Sequence, residues 1–537
     1  MTTVHAALGR GLLESGVEVI FGLLGDANLF AMDSYRAAGG RFVDVSHESG
    51  AVLAAVGYAQ RSGALGVASV THGPALSNTV TALIEGVKSR SAVLVVAGDT
   101  AVEDLENVQN IPQRELVVAT GAGFVQARSP RTVLLDLSRA MRMAVTERRP
   151  VVLNVPSDLT WQEAEILPVP RPPVAQAVAA DDEALDVAAG ILASAQRPVI
   201  LAGRGAALSA GARAALDSLA LTTGAPVATT VRGKDFFRGH EHDLGIFGSF
   251  STPEATATIA AADVVVAFGA GLNSWTTYKG ELVSGKRVVQ VDTDAEALGR
   301  WTPVTAAVVG DVARVATQLD EMLTSAEVRP RAVGDLADRL ARERDAVGRD
   351  RQDTVLDLVA AARLVDETFA VQRTAVFDVG RFWYSTMPHI HVQDALAHVH
   401  TVSSGSIGLS VPCAIGASFA APGEPVLVVV GDGGFMLGGL AELSTAVRHG
   451  CDLTILVVND KAYGAEWVQL DARDVDPAIS TFDWPDFAPV AEALGATGLE
   501  VSDIEQLRLA LDTAAKTPGT TLIDLRIDPS RVPMGPH

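Results

Sequence analysis

Short runs rich in valine and isoleucine alternate with alanine- and leucine-rich stretches of helical period along almost the whole chain. That alternation signals parallel sheets wrapped by helices, because each strand must be carried back across the sheet by a helical crossover. The expected class is therefore α/β, built from doubly wound parallel sheets. A length of 537 residues exceeds what one hydrophobic core organises and sets an expectation of about three domains.

Two breaks divide the chain. Residues 167–173 carry four prolines among seven positions, which removes backbone donors and disfavours helix, so an extended surface linker is expected. Residues 328–351 are crowded with Arg, Asp and Glu and read as a solvated helix or connector rather than a core element. The expected domains are then 1–165, 180–325 and 355–530.

Composition removes several classes of function. Lys and Arg total 42 against 64 Asp and Glu, a formal charge of -22, which repels nucleic acid and anionic membrane surfaces. Neither partner is expected. Cys413 and Cys451 are the only cysteines, too few for a disulfide scaffold and not spaced as metal ligands. The start Met1-Thr2-Thr3-Val4-His5 lacks a basic segment followed by an apolar core, and no apolar run reaches the length of about 20 residues that spans a bilayer. A cytoplasmic location is the expectation.

The sharpest local signal lies in the last third. A strand expected at 426–430 runs into Gly431-Asp432-Gly433-Gly434, a helix should follow to about His449, and a second strand at 453–458 delivers Asn459-Asp460. The 25 residues between Gly433 and Asn459 suffice for one helical crossover, so both motifs emerge at carboxyl ends of parallel strands, the edge where open α/β sheets bind ligands. Glycines around Asp432 let the backbone turn tightly and approach a ligand, and the amides of the following helix can face an anion such as a diphosphate. Two side-chain oxygens, a backbone carbonyl, phosphate oxygens and water would complete the shell magnesium prefers. Asp432 and Asp460 are the expected side-chain ligands, and Ala462 the carbonyl donor.

This arrangement resembles the signature of the thiamine diphosphate enzymes that include acetolactate synthase, pyruvate decarboxylase and benzoylformate decarboxylase. Ser404-Gly405-Ser406-Ile407-Gly408, the run from Pro412 to Gly416, and Asn459-Asp460-Lys461-Ala462-Tyr463-Gly464 match in the same order. His47-Glu48-Ser49-Gly50-Ala51, Gly57-Tyr58-Ala59 and Thr71-His72-Gly73-Pro74 with Asn78 extend the likeness into the first third. The resemblance implies thiamine diphosphate and Mg2+ as cofactors. It implies cofactor-binding roles for Gly380, Gly405, Ser406, Ile407, Gly431, Asp432, Gly433, Gly434, Asp460, Ala462, Tyr463 and Gly464. In the family the second metal ligand is usually Asn; spacing to Tyr463-Gly464 puts that position on Asp460, with Asn459 as a second candidate. Glu48 is implied as the carboxyl at the pyrimidine ring, a role that needs a raised pKa, which burial supplies. Gly405 is implied to offer its carbonyl to the pyrimidine amino group and Ile407 to hold the cofactor rings bent; an ordinary core isoleucine is equally compatible with the physics. Because the family divides Glu48 and the diphosphate loop between subunits, a homodimer or homotetramer with interfacial active sites is implied.

The reaction is less constrained. Gly25-Asp26-Ala27-Asn28 resembles a pyruvate decarboxylase pattern, Glu466 matches that enzyme's other active-site carboxyl, and Gln109-Asn110-Ile111-Pro112-Gln113 lies closer to acetolactate synthases. Asp26, Glu48, His72, Gln113 and Glu466 are the expected catalytic residues, His72 being equally suited to capping backbone. The leading expectation is decarboxylation of a small, pyruvate-like 2-oxo acid with ligation of the acyl unit to an aldehyde or second 2-oxo acid. The alternatives are a simple 2-oxo acid decarboxylase and a non-catalytic cofactor-binding homologue. In the middle third, Gly203-Arg204-Gly205 and Asp292 hint weakly at a nucleotide, while Gly271-Leu272-Asn273 makes FAD unlikely.

Overall fold

The computed structural model describes residues 2–165, 168–171, 176–346 and 356–532. In chain order the strands are β1 (Thr2–Thr3), β2 (Val19–Gly22), β3 (Arg41–Asp44), β4 (Gly66–Val70), β5 (Val93–Asp99), β6 (Gly123–Gln126), β7 (Pro150–Pro156) and β8 (Glu163–Ala164). They continue with β9 (Pro198–Ala202), β10 (Val227–Thr229), β11 (Asp243–Ile246), β12 (Val264–Phe268), β13 (Arg287–Asp292) and β14 (Ala306–Val309). The last are β15 (Thr374–Phe377), β16 (His398–His400), β17 (Val426–Gly431), β18 (Leu453–Asn459), β19 (Thr497–Val501) and β20 (Thr521–Arg526).

Apart from the small β1–β8 pair, these strands form three six-stranded parallel sheets, ordered β3-β2-β4-β5-β7-β6, β11-β10-β9-β12-β13-β14 and β16-β15-β17-β18-β20-β19. Each is buried on both faces. In β5, Val93, Val95 and Ala97 enter one core cluster while Leu94 and Val96 enter another; in β12, Val264, Val266 and Phe268 face one layer, and Val265 and Ala267 the other. Alternate side chains leave opposite faces of a strand, so helices must cover both sides. The first and third sheets belong to one compact unit and the middle sheet to a second.

Within the first unit, helix Glu48–Ser62 and helix Ser410–Ala420 pack almost backbone to backbone. A Cβ on Gly57 would stand 1.9 Å from the Cys413 carbonyl oxygen, and one on Gly416 would stand 1.8 Å from that of Ala54. Two buried carboxylates complete the joint. Glu85, fully buried, accepts the N–H groups of Ser403 (3.2 Å) and Ser404 (2.7 Å). In the other direction Glu442, 2% exposed, accepts those of Ser46 (3.2 Å) and His47 (3.1 Å).

Several local expectations shift. The helix that carries Glu48 begins at that residue, because the His47 ring accepts the Ser49 N–H and caps it. The single helix expected after Gly434 is instead a short turn Asp432–Gly434, a widened π-helical stretch Phe435–Gly439 and helix Leu440–Arg448. The backbone of Gly408 crosses there, so close that a Cβ on Gly438 would lie 2.1 Å from its oxygen. Residues 168–171 of the proline-rich segment are neither helix nor strand, as expected of a linker, but they do not stay on the surface, since Val169 is buried in the core beneath the first sheet; 167, 172 and 173 lie outside the described residues. The charged segment is not wholly solvated, since helix Leu336–Ala346 buries Leu336 and Leu340, one turn apart, in the middle core; 347–351 lie outside the described residues. Gly203 and Gly205 pack against the Gly269 backbone, 2.2 Å and 2.7 Å from where their Cβ atoms would be, which accounts for that glycine spacing without a nucleotide.

At the end of β15, Asp378 lies fully buried. Its Oδ2 accepts the Gly408 N–H (2.9 Å) and the Ser410 hydroxyl (3.0 Å), fixing the loop after β16. Burial pushes its pKa from 3.8 up to about 6, against those hydrogen bonds.

Two outcomes follow from this packing. Gly416→Ala should destabilise the first unit by about 3 kcal/mol or more, read from urea and thermal melts, since its neighbour is backbone that cannot step aside. For Asp378 the folded-state pKa stands above the ordinary value, so its contribution is present below 3.8 and lost as pH rises through about 6. The melting temperature of the protein minus that of Asp378→Asn should therefore decline between those pH values; a difference independent of pH would contradict the assignment.

Candidate functional site

The expected site residues gather in two groups at the carboxyl edges of the first and third sheets. In the third, Asp432 follows β17 and is 2% exposed. Its Oδ1 accepts the Gly433 N–H at 2.7 Å, while Oδ2 is buried without a hydrogen-bond partner. Asp460 follows β18; its Oδ1 accepts the Ala462 N–H at 3.2 Å. Asn459 turns away, its amide donating to Asp524 at 2.8 Å and its oxygen accepting the Lys461 N–H at 3.2 Å. The structure therefore brings Asp460, not Asn459, to Asp432.

Tyr463 closes over Gly433, whose Cβ would meet the ring at 2.5 Å. Glu466 stands exposed on helix Gly464–Asp471 and lines a cavity of about 370 Å³ with Tyr463, Gln469, Leu470, Ile479 and Ser480. Gly405 is exposed with φ 78° and open space where a Cβ would be. Ile407 is half-buried rather than a core isoleucine. Gly380 precedes Phe382, whose ring comes within 2.4 Å of where its Cβ would stand.

The electrostatics favour a cation here. Burial pushes Asp432 up to about 7, and the Asp460 charge adds to it; burial also raises Asp460, against the pull of Arg381. A desolvated carboxylate oxygen without a partner beside a second carboxylate suits a hard divalent ion. Among the described residues no three His, Cys, Asp or Glu side chains gather as a metal cluster, so two carboxylates and the Ala462 carbonyl would leave the remaining positions to phosphate and water. The residues fit a metal-bridged diphosphate.

In the first sheet, Glu48 heads its helix and is half-buried, with Asn78 donating to its Oε2 at 2.9 Å. The full burial expected for it is not reached within one chain. Asp26 is 70% exposed, and its Oδ1 accepts the Thr71 hydroxyl at 3.0 Å. His72, 3% exposed, places Nδ1 3.9 Å from the same oxygen, and neither ring nitrogen has a hydrogen-bond partner; it caps no backbone. Gln113 is fully committed. Its Oε1 accepts the Gly73 N–H at 2.6 Å, and its Nε2 donates to Gly98 O (2.9 Å) and Asn154 Oδ1 (2.6 Å), so it holds the turn after His72.

Among the described residues no hydrogen bond or ion pair joins Asp26, Glu48, His72 or Gln113 to Asp432, Asp460 or Glu466. Sequence reasoning missed Arg381, which donates twice to Asp460, and Glu85 and Glu442, whose partners are backbone amides hundreds of residues away. For Arg381 the one available signal was a cation directly after Gly380.

Residues 2–120 match the family described as "Thiamine pyrophosphate enzyme, N-terminal TPP binding domain", 185–319 the corresponding central domain and 378–525 the C-terminal TPP binding domain. The chain is 27% identical to a sulfoacetaldehyde acetyltransferase of Alcaligenes xylosoxydans xylosoxydans, across 97% of this chain and 92% of that one. It is 29% identical to a protein named "Probable 2-ketoarginine decarboxylase" from Pseudomonas aeruginosa, across 98% and 94%. With the large subunit of acetolactate synthase isozyme 2 from Escherichia coli it shares 25% identity, again across 98% and 94%. No helix among the described residues is long and apolar enough to cross a membrane. The two sheet edges that carry the candidate residues are the two that match TPP binding domains, and the three matches together take in more than half of the chain: it belongs to the thiamine pyrophosphate enzyme family.

Proposed function

We propose that the enzyme decarboxylates a small, pyruvate-like 2-oxo acid and transfers the acyl unit to an aldehyde or a second 2-oxo acid. The carrying observation is the cluster after β2 and β4, where an exposed Asp26 carboxylate lies beside a His72 ring with both nitrogens unengaged. Such a pair can hold and move a proton at the substrate. The names of the relatives combine acetyl transfer, acetolactate synthesis and decarboxylation, which supports both halves of the reading.

Bound thiamine diphosphate supplies the electron sink for breaking the bond to the carboxylate. Asp432, Asp460 and the Ala462 carbonyl hold Mg2+, and Gly431, Gly433 and Gly434 leave room for the diphosphate. Glu48 keeps a proton at its carboxyl for the pyrimidine ring nitrogen, oriented by the Asn78 amide on Oε2. Glu466, on the wall of its cavity, serves as the second acid and base beside Asp26. Gln113 positions the Gly73 turn and does not react. The three domains are assigned to 1–165, 180–325 and 355–530.

Glu48 needs a second surface to be desolvated, and a second copy of the chain provides it in this reading. Leu105, Val108 and Leu437 are 78%, 99% and 64% exposed; Val108 adjoins the loop that carries Gln109, and Leu437 lies in the widened turn after Asp432. Exposed apolar side chains beside both groups support a homodimer or homotetramer.

With thiamine diphosphate, Mg2+ and pyruvate, the purified protein should release carbon dioxide and form an acyloin or acetolactate-type product when an acceptor is present. No carbon dioxide from a panel of 2-oxo acids would remove the reading, whereas aldehyde alone would favour simple decarboxylation. Glu48→Gln should retain cofactor affinity by calorimetry yet lose turnover at least about 100-fold. Sedimentation should show a dimer or larger species, and Leu437→Asp should shift it toward monomer with parallel loss of turnover; a fully active monomer would count against the shared site.

A further inference from the structure

Arg381 reaches Asp460 in an unusual way: both Nε (3.0 Å) and Nη2 (2.6 Å) donate to one oxygen, Oδ2. The pair is nearly sealed, with Arg381 5% and Asp460 9% exposed. The guanidinium is fixed on further sides, since the Trp467 ring lies 5.3 Å from its carbon and a Cβ on Gly464 would stand 2.4 Å from Nε. Only the other oxygen, Oδ1, remains lightly engaged, by the Ala462 N–H at 3.2 Å.

Two charge-assisted hydrogen bonds on Oδ2 leave Asp460 one oxygen to offer a cation. Magnesium takes a near-ideal octahedron of single oxygens at short range, whereas the larger calcium ion accepts both oxygens of one carboxylate in a flexible shell. We propose that Arg381 determines metal specificity: by occupying Oδ2 it confines Asp460 to single-oxygen ligation and selects magnesium over calcium at the diphosphate site. This rests on the reading of Asp432 and Asp460 as the magnesium ligands; what it adds is the residue that selects that ion.

A merely structural ion pair would affect folding and weaken both cations alike. The ratio of affinities separates the two roles. In the full-length protein with thiamine diphosphate, tryptophan fluorescence and calorimetry are followed during titration with magnesium chloride and with calcium chloride. Magnesium should bind more tightly to the native protein, and in Arg381→Gln the magnesium-to-calcium affinity ratio should fall about tenfold. Arg381→Lys, which keeps the charge but only a compact donor, should lie between. The double variant Arg381→Gln/Asp460→Asn carries no buried unpaired carboxylate at this position, so it remains informative if the single variant fails to fold. An amide has one oxygen, so its ratio should return toward the native value even as overall affinity drops. A ratio unchanged in Arg381→Gln, or equally low in the double variant, overturns the assignment of Arg381 alone; a native protein that takes up neither cation with the cofactor overturns the ligand reading with it.

Discussion

The first unit depends on two helices brought so close that only glycine fits where they cross. Gly57 and Gly416 each face the carbonyl of the opposite helix at a distance that excludes any side chain. Contact of that kind fixes the relative placement of the first and third sheets far more tightly than side-chain interdigitation would, because backbone cannot change rotamer. Glu85 and Glu442 then use the joint reciprocally, each reaching from a helix of one sheet to two backbone amides of the other. The amides so held directly precede Gly405 on one side and Glu48 on the other. A buried carboxylate is tolerable only when its oxygens are satisfied, and here the groups that satisfy them belong to loops that carry candidate cofactor contacts. Stability of the joint and placement of the site are thus one interaction.

The edge of the third sheet shows the opposite accounting. Asp432, Asp460 and Asp378 are all desolvated, and burial raises the pKa of each. Asp378 is relieved by loop donors and Asp460 by Arg381, while Asp432 retains an oxygen with no partner. Folding alone therefore does not neutralise the site. An incoming cation would do so, and the local polarity runs against the acidic surface of a chain with a formal charge of -22: a bridging dication turns a pair of carboxylates into an anion receptor.

Much of this was legible from residue order. Valine-rich runs, crossover lengths and the Gly431–Gly434 and Asn459-Asp460 motifs are local patterns, and they place three parallel sheets and the third-sheet edge directly. What stayed hidden are pairings set only by the folded chain. Arg381 lies 79 positions from Asp460, and nothing in either neighbourhood requires the other. Glu442 resembles any helical glutamate until the amides of Ser46 and His47 stand in front of it. Gln113 fits a reactive loop by resemblance, but its buried amide is consumed by Gly73, Gly98 and Asn154. The widened turn at Phe435–Gly439 escaped because its cause is the passage of Gly408, a remote backbone segment.

Glu48 poses the remaining physical question. The role proposed for its carboxyl calls for removal from water, yet within one chain it is half-buried and tied to a single amide, Asn78. Rearrangement inside the subunit is a poor source of that burial, because the turn before Glu48 is clamped by Glu442 and the helix after it is locked through Gly57. Moving either would expose a buried carboxylate or open a backbone contact. A second surface brought up from outside would leave both intact, and in the proposed dimer that surface is the third-sheet edge of another copy. The rigidity that makes each half precise is therefore also the reason the proposed site is completed by association rather than by closure.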